Sequence, residues 1–69
     1  MFIEVMGYIP GAVIKRRLFI NIDHIKMVCP NKGSGEETLV YFGNNDFMVV
    51  DETVNKVMEK INAVRKSGV

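Results

Sequence analysis

The chain has 69 residues, nine basic and eight acidic side chains, and 48% hydrophobic residues. That length permits a single domain over 1–69, and a net charge of +1 is too balanced to imply nucleic acid or an anionic membrane by itself. One cysteine and one histidine exclude an internal disulfide and a structural zinc site within one chain.

The first element expected is a strand over Phe2 to Ile9. Ile3, Val5, Gly7 and Ile9 share one face, and Phe2, Glu4, Met6 and Tyr8 share the other. Pro10-Gly11 is a turn signal, because proline fixes φ at the second turn position and glycine accepts positive φ at the third. A second strand is expected from about Ala12 to Ile22. Leu18, Ile20 and Ile22 alternate there with Phe19 and Asn21, while Lys15-Arg16-Arg17 interrupts the pattern and predicts a looser hairpin than the turn alone suggests. Asn21 to Ile25 reads as a tight turn, since Asn and Asp side chains bond nearby backbone. Ile25 to Cys29 reads as a third strand ended by Pro30. Asn31 to Glu37 is a polar loop around Gly33-Ser34-Gly35.

Leu39-Val40-Tyr41-Phe42 and Phe47-Met48-Val49-Val50 flank Gly43-Asn44-Asn45-Asp46, the pattern of an antiparallel pair. Both runs are apolar at successive residues, which predicts that both faces are covered. A helix follows. Val54, Val57, Met58, Ile61 and Val64 form an apolar stripe, and Asn55, Lys56, Glu59, Lys60 and Asn62 read as solvated. Asp51 is the expected cap. Glu52 suits the first turn, where pairing with Lys56 would add ~0.3 kcal/mol. Arg65 and Lys66 suit the last turn, and Gly68 is the expected stop.

These elements define an α+β fold: a four- or five-stranded antiparallel meander with one C-terminal amphipathic helix packed on one face. The expected core is Ile3, Val5, Leu18, Ile20, Ile22, Ile25, Val28, Val40, Phe42, Val49, Val54, Val57, Met58 and Ile61.

Phe19-Ile20-Asn21-Ile22-Asp23-His24-Ile25 resembles the "apolar, Asn, x, Asp, x, Ile" signature of the small FlbD-type flagellar and swarming-motility proteins. The block from Gly43 to Ile61, with its Val49-Val50-Asp51-Glu52-Thr53-Val54 core, is similar to that family's closing hairpin and helix. The resemblance runs from about Ile3 to Ile61 and rests on turns and apolar positions. The Pro10–Arg17 connection and the Lys32–Glu37 loop are longer than in that pattern, and the Gly43–Asp46 turn lacks its Asn-Gly order. The resemblance implies an accessory or regulatory role through protein contacts, with no enzyme activity, and it carries no site residues over.

No constellation of catalytic residues is legible. His24 has Asp23 beside it, but neighbours on a strand point apart, so His24 reads as a surface turn residue. Cys29 has no nearby base or helix N-terminus to lower its pKa. Gly33-Ser34-Gly35 lacks the lysine and spacing of a phosphate loop. We therefore expect no enzyme, no cofactor and no metal. No run approaches the roughly 20 apolar residues of a membrane span. Met1-Phe2-Ile3-Glu4 has no basic lead of a secretory signal, and an unpaired thiol fits a reducing compartment. The expectation is a cytoplasmic protein with no membrane partner.

A chain this short buries only about 60% of its unfolded surface, and its core supplies roughly 3–5 kcal/mol unless something staples it. Oligomerisation is the staple the composition leaves. The expected function is a non-enzymatic interaction module that self-associates and meets an unidentified protein partner, with Phe19, Tyr41 and Met48 as candidate interface residues. The alternative is a nucleic-acid-binding regulator. Lys15, Arg16 and Arg17 would then contact phosphates, and Tyr8, Phe19 or Tyr41 would stack on bases. The hairpin-rich outline faintly resembles the DNA-reading LytTR-type domain, whose specific motifs are absent from the sequence. The opposing reading of the basic cluster is that it shields an exposed edge from strand pairing.

Overall fold

Among the described residues, five strands, one turn of 3-10 helix and one α-helix follow each other: β1 Phe2–Tyr8, β2 Arg16–Asn21, the 3-10 turn Ile22–His24, β3 Met27–Pro30, β4 Thr38–Tyr41, β5 Phe47–Val50 and α1 Val54–Ser67. The computed structural model describes residues 1–12, 14–33 and 35–67, so the expected stop at Gly68 and the middle of Gly33-Ser34-Gly35 lie outside the described residues. All strand pairs are antiparallel, and their order across the sheet is β2-β1-β5-β4-β3. The expected α+β fold, with the C-terminal helix on the sheet, is what forms. Chain-order neighbours pair within β1–β2 and within β3–β4–β5, whereas β2 and β3 lie at opposite edges.

That arrangement constrains the shape of the sheet. Four strand spacings in a flat sheet amount to about 19 Å. Asn21 and Met27 are joined by five residues, three of them in the 3-10 turn, which reach about 16 Å. The sheet therefore curls toward the helix, and the curl carries Ile22 into the core and Ile25 against it. The turn is held as its sequence suggests: the Asn21 side-chain oxygen accepts the Asp23 N–H at 3.1 Å.

Several boundaries differ from expectation. Ile9-Pro10-Gly11-Ala12 is a tight turn in which the Ala12 N–H donates to the Ile9 carbonyl at 2.9 Å and Gly11 takes φ of 93°. It does not place Ala12 opposite Ile9 in a ladder, and β2 starts only at Arg16, paired with Gly7. Pro30 lies within β3 instead of ending it. This is permitted because β3 is an edge strand and needs no donor on its outer side. The helix is capped by Thr53, whose hydroxyl oxygen accepts the Lys56 N–H at 3.3 Å. Asp51 is still tied to the sheet through its own N–H, which donates to the Met6 carbonyl at 2.7 Å. Glu52 precedes the helix and pairs with Lys60 at 2.8 Å, not with Lys56. The Lys60 ammonium also donates to the Glu4 carbonyl at 2.8 Å, which pins the half-buried helix flank to β1.

The core lies between the helix and one sheet face. It comprises Ile3, Val5, Ile20, Ile22, Val40, Met48, Val50, Val57 and Ile61, with Leu18, Ile25, Val28, Phe42 and Val64 packed around it. Val49 is buried on the opposite face, and Met58 is 36% exposed at the margin. Val49, expected in the core, is thus buried but on the face away from the helix, while Met48 and Val50, outside the expected core, point inward. Thr38 is fully buried, and its hydroxyl donates to the Glu52 carbonyl at 2.7 Å, tying β4 to the residue before the helix cap. Thr38→Val keeps the shape and deletes that bond. We expect it to cost about 1–2 kcal/mol, read as a lower urea midpoint with an unchanged m-value.

Candidate interaction face

Strand alternation decides which side chains stand on the face turned away from the helix. Ile3, Val5 and Gly7 point to the core, so Phe2, Glu4, Met6 and Tyr8 stand outside with Arg17, Phe19 and Asn21 of β2. The other half of that face carries two cross-strand rows: Tyr8, Val49, Leu39 and Cys29, then Phe47, Tyr41 and Met27. In the second row the Tyr41 and Phe47 rings lie 5.1 Å apart at 32°.

A polar belt divides the face in two. The Lys15 ammonium sits 3.0 Å from the Asp51 carboxylate. The Tyr8 hydroxyl donates to Glu37 at 3.3 Å, and the Asn31 side-chain amide donates to the other Glu37 oxygen at 3.1 Å. The hydrogen bond to Asp51 raises the Lys15 pKa. Burial, reinforced by the Glu37 charge, raises that of the Tyr8 phenol. Both groups therefore keep their neutral-pH forms, the ammonium and the phenol, and the belt is closed on itself.

On the β1–β2 side of the belt lies an apolar patch. Phe2 is 62% exposed, Phe19 64% and Met6 44%. Phe19 pairs with Glu4, which stands between Phe2 and Met6, so Phe19 is a diagonal neighbour of both. The two phenylalanines alone present roughly 250 Å². With Met6 the patch approaches the ~300–600 Å² of the largest patch on a typical monomer, often a functional one. Its polar rim is the exposed Glu4–Arg17 pair at 3.7 Å.

The candidate interface residues separate. Phe19 is in this patch, Tyr41 is in the second row beyond the belt, and Met48 is buried in the core and takes no part in the face. Phe2 and Met6 were missed as candidates, although their alternation with Ile3 and Val5 already placed them opposite the core. The basic cluster is also dispersed. Lys15 is held by Asp51 and Arg17 lies against Glu4. Arg16, paired with Gly7, stands on the helix side, where it lines a hollow of about 300 Å³ with Tyr8, Ile9, Ala12, Ile14 and Leu18. Tyr8 is engaged in the belt.

His24 is exposed in the 3-10 turn, and neighbouring Asp23 holds the amino terminus at 3.2 Å. Cys29 is half-buried in β3, opposite Leu39. Among the described residues no group of three or more His, Cys, Asp or Glu side chains could hold a metal ion. No helix among them is long and apolar enough to cross a membrane. Comparison with protein families, with characterised proteins and with solved structures finds no match for this chain.

Proposed function

We propose that this chain is a non-enzymatic protein–protein interaction module that self-associates through its β1–β2 hairpin and serves an accessory role in the cytoplasm. The observation that carries this reading is the exposed cluster of Phe2, Met6 and Phe19 on the sheet face turned away from the helix, which no element among the described residues covers. A small core favours association at this hairpin, because binding of a second folded copy stabilises the folded state. The resemblance of Phe19 to Ile25 and of Gly43 to Ile61 to the FlbD-type pattern supports an accessory role through protein contacts. The nucleic-acid reading is less well supported, because Lys15 and Arg17 already lie against carboxylates and Arg16 stands on the other side of the sheet.

The test is solution mass by light scattering after size exclusion, over a hundredfold range of concentration. We expect a mass above the 7.8 kDa of one chain that falls on dilution, and a monomer at every concentration after Phe19→Glu. A monomeric parent protein throughout that range would overturn the reading.

A further inference from the structure

We infer that two copies of this chain join edge to edge, β2 against β2 in antiparallel order about a two-fold axis at Phe19, making one continuous ten-stranded sheet. The inference rests on the self-association proposed above and names its surface and register. The sheet has two edges, β2 and β3. The Asn31 N–H donates to the Glu37 carbonyl at 3.0 Å, continuing the β3–β4 ladder. Antiparallel ladders alternate between bonded and non-bonded pairs, so Pro30, paired with Thr38, is a non-bonded position whose nitrogen faces outward. Proline has no N–H to offer there, and β3 is only four residues long. That edge is blunted.

The β2 edge is open. The Ile22 N–H donates to the Met1 carbonyl at 2.9 Å, so the bonded pairs with β1 are those of Ile20, Leu18 and Arg16. Arg17, Phe19 and Asn21 therefore direct their N–H and C=O groups outward, and none of these groups has a backbone partner among the described residues. The same three residues place their side chains on the outer face, with exposed Phe19 at the centre.

Charge selects the register. An axis at Phe19 sets Arg17 opposite the partner's Asn21 on both sides and uses all three outward positions, about six backbone bonds. An axis at Arg17 sets like charges opposite each other and leaves Asn21 unpaired. An axis at Leu18 moves Phe19 against the partner's Arg17 and leaves Asn21 beyond the paired strand. The Phe19 axis sets the two Phe2–Phe19–Met6 patches side by side in one surface centred on the contact.

Disulfide trapping tests this in a Cys29→Ser background. Opposed residues of a bonded antiparallel pair have Cα atoms about 5.5 Å apart, within disulfide range. We expect an oxidised dimer from Phe19→Cys alone and from Arg17→Cys mixed with Asn21→Cys, a pair that keeps Phe19. We expect at least tenfold less from Arg17→Cys alone or Asn21→Cys alone. Self-crosslinking of Arg17→Cys, or a dimeric parent protein whose mixed pair does not crosslink, overturns the register while leaving self-association intact. A parent protein that is monomeric at every concentration overturns both.

Discussion

Gly7→Ala is expected to destabilise the protein by about 3 kcal/mol, the upper range for forcing an extra methyl into a packed site. Gly7 is buried where β1 meets β5, and a Cβ there would overlap the Val49 carbonyl oxygen. It would also lie 3.1 Å from the Val50 Cα and 3.2 Å from the Val49 carbonyl carbon. All three are backbone atoms, so no rotamer change relieves the contact. Relief requires the strands to part, and the seam between β1 and β5 is short: Gly7 pairs with Val50 and Tyr8 with Val49, and the Asp51 N–H bond to Met6 adds one rung. That short seam joins the β1–β2 hairpin to the β3–β4–β5 meander. A loss of about 3 kcal/mol would consume most of the roughly 3–5 kcal/mol a core of this size supplies. Urea unfolding of Gly7→Ala beside Gly43→Ala measures it. A Cβ at Gly43 meets only the Asp46 Cβ, at an ordinary contact distance of 3.6 Å, and its φ is not positive, so that substitution should stay within about 0.5 kcal/mol of the parent. Equal midpoints for the two variants would show that the seam tolerates a side chain.

The parts of this fold legible in the sequence are those where periodicity leaves one choice. β1 alternates large apolar residues with glutamate and other outward side chains, and its inner and outer faces are as the alternation sets them, apart from Ile9, which lies past the strand end and is 64% exposed. β5 is illegible for the converse reason. Phe47-Met48-Val49-Val50 is apolar at every position, so a shift of one residue changes which pair faces the helix without leaving a polar group buried. The facing of β5 is settled by pairing with β1 at Gly7, a contact between residues more than forty positions apart in the chain. The helix start shows a third case. Asp51 and Thr53 are both good caps, and Thr53 takes the role because Asp51 is drawn into the sheet by its N–H bond to Met6 and into the polar belt by Lys15. The outer patch was half legible: Phe19 was singled out, while Phe2 and Met6 could be joined to it only once the β1–β2 register was known.

Ile61→Ala is expected to cost about 3 kcal/mol and Met58→Ala less than about 1 kcal/mol, although the two residues belong to the same apolar stripe. Val57 and Ile61 stand one helical turn apart on the line that faces the sheet and are 0% and 4% exposed. Ile61 packs into the core with Ile3, Val5, Ile20 and Ile22, and truncating it leaves a cavity that strands fixed in register by their ladders do not fill. Met58 is one residue further round, about 100° from Val57, at 36% exposure beside a shallow hollow shared with Ile25, Lys26 and Arg65. Its truncation removes contacts from a surface that water already reaches. Alanine is a strong helix former, so neither substitution weakens the helix itself. The comparison therefore measures how the helix is rotated on the sheet. If losses were equal, the axis of the stripe would lie between the two residues, and the Lys60 bonds to Glu4 and Glu52 that fix the rotation would not hold. Both variants must be read at one protein concentration, because an associating fold gains apparent stability as its concentration rises.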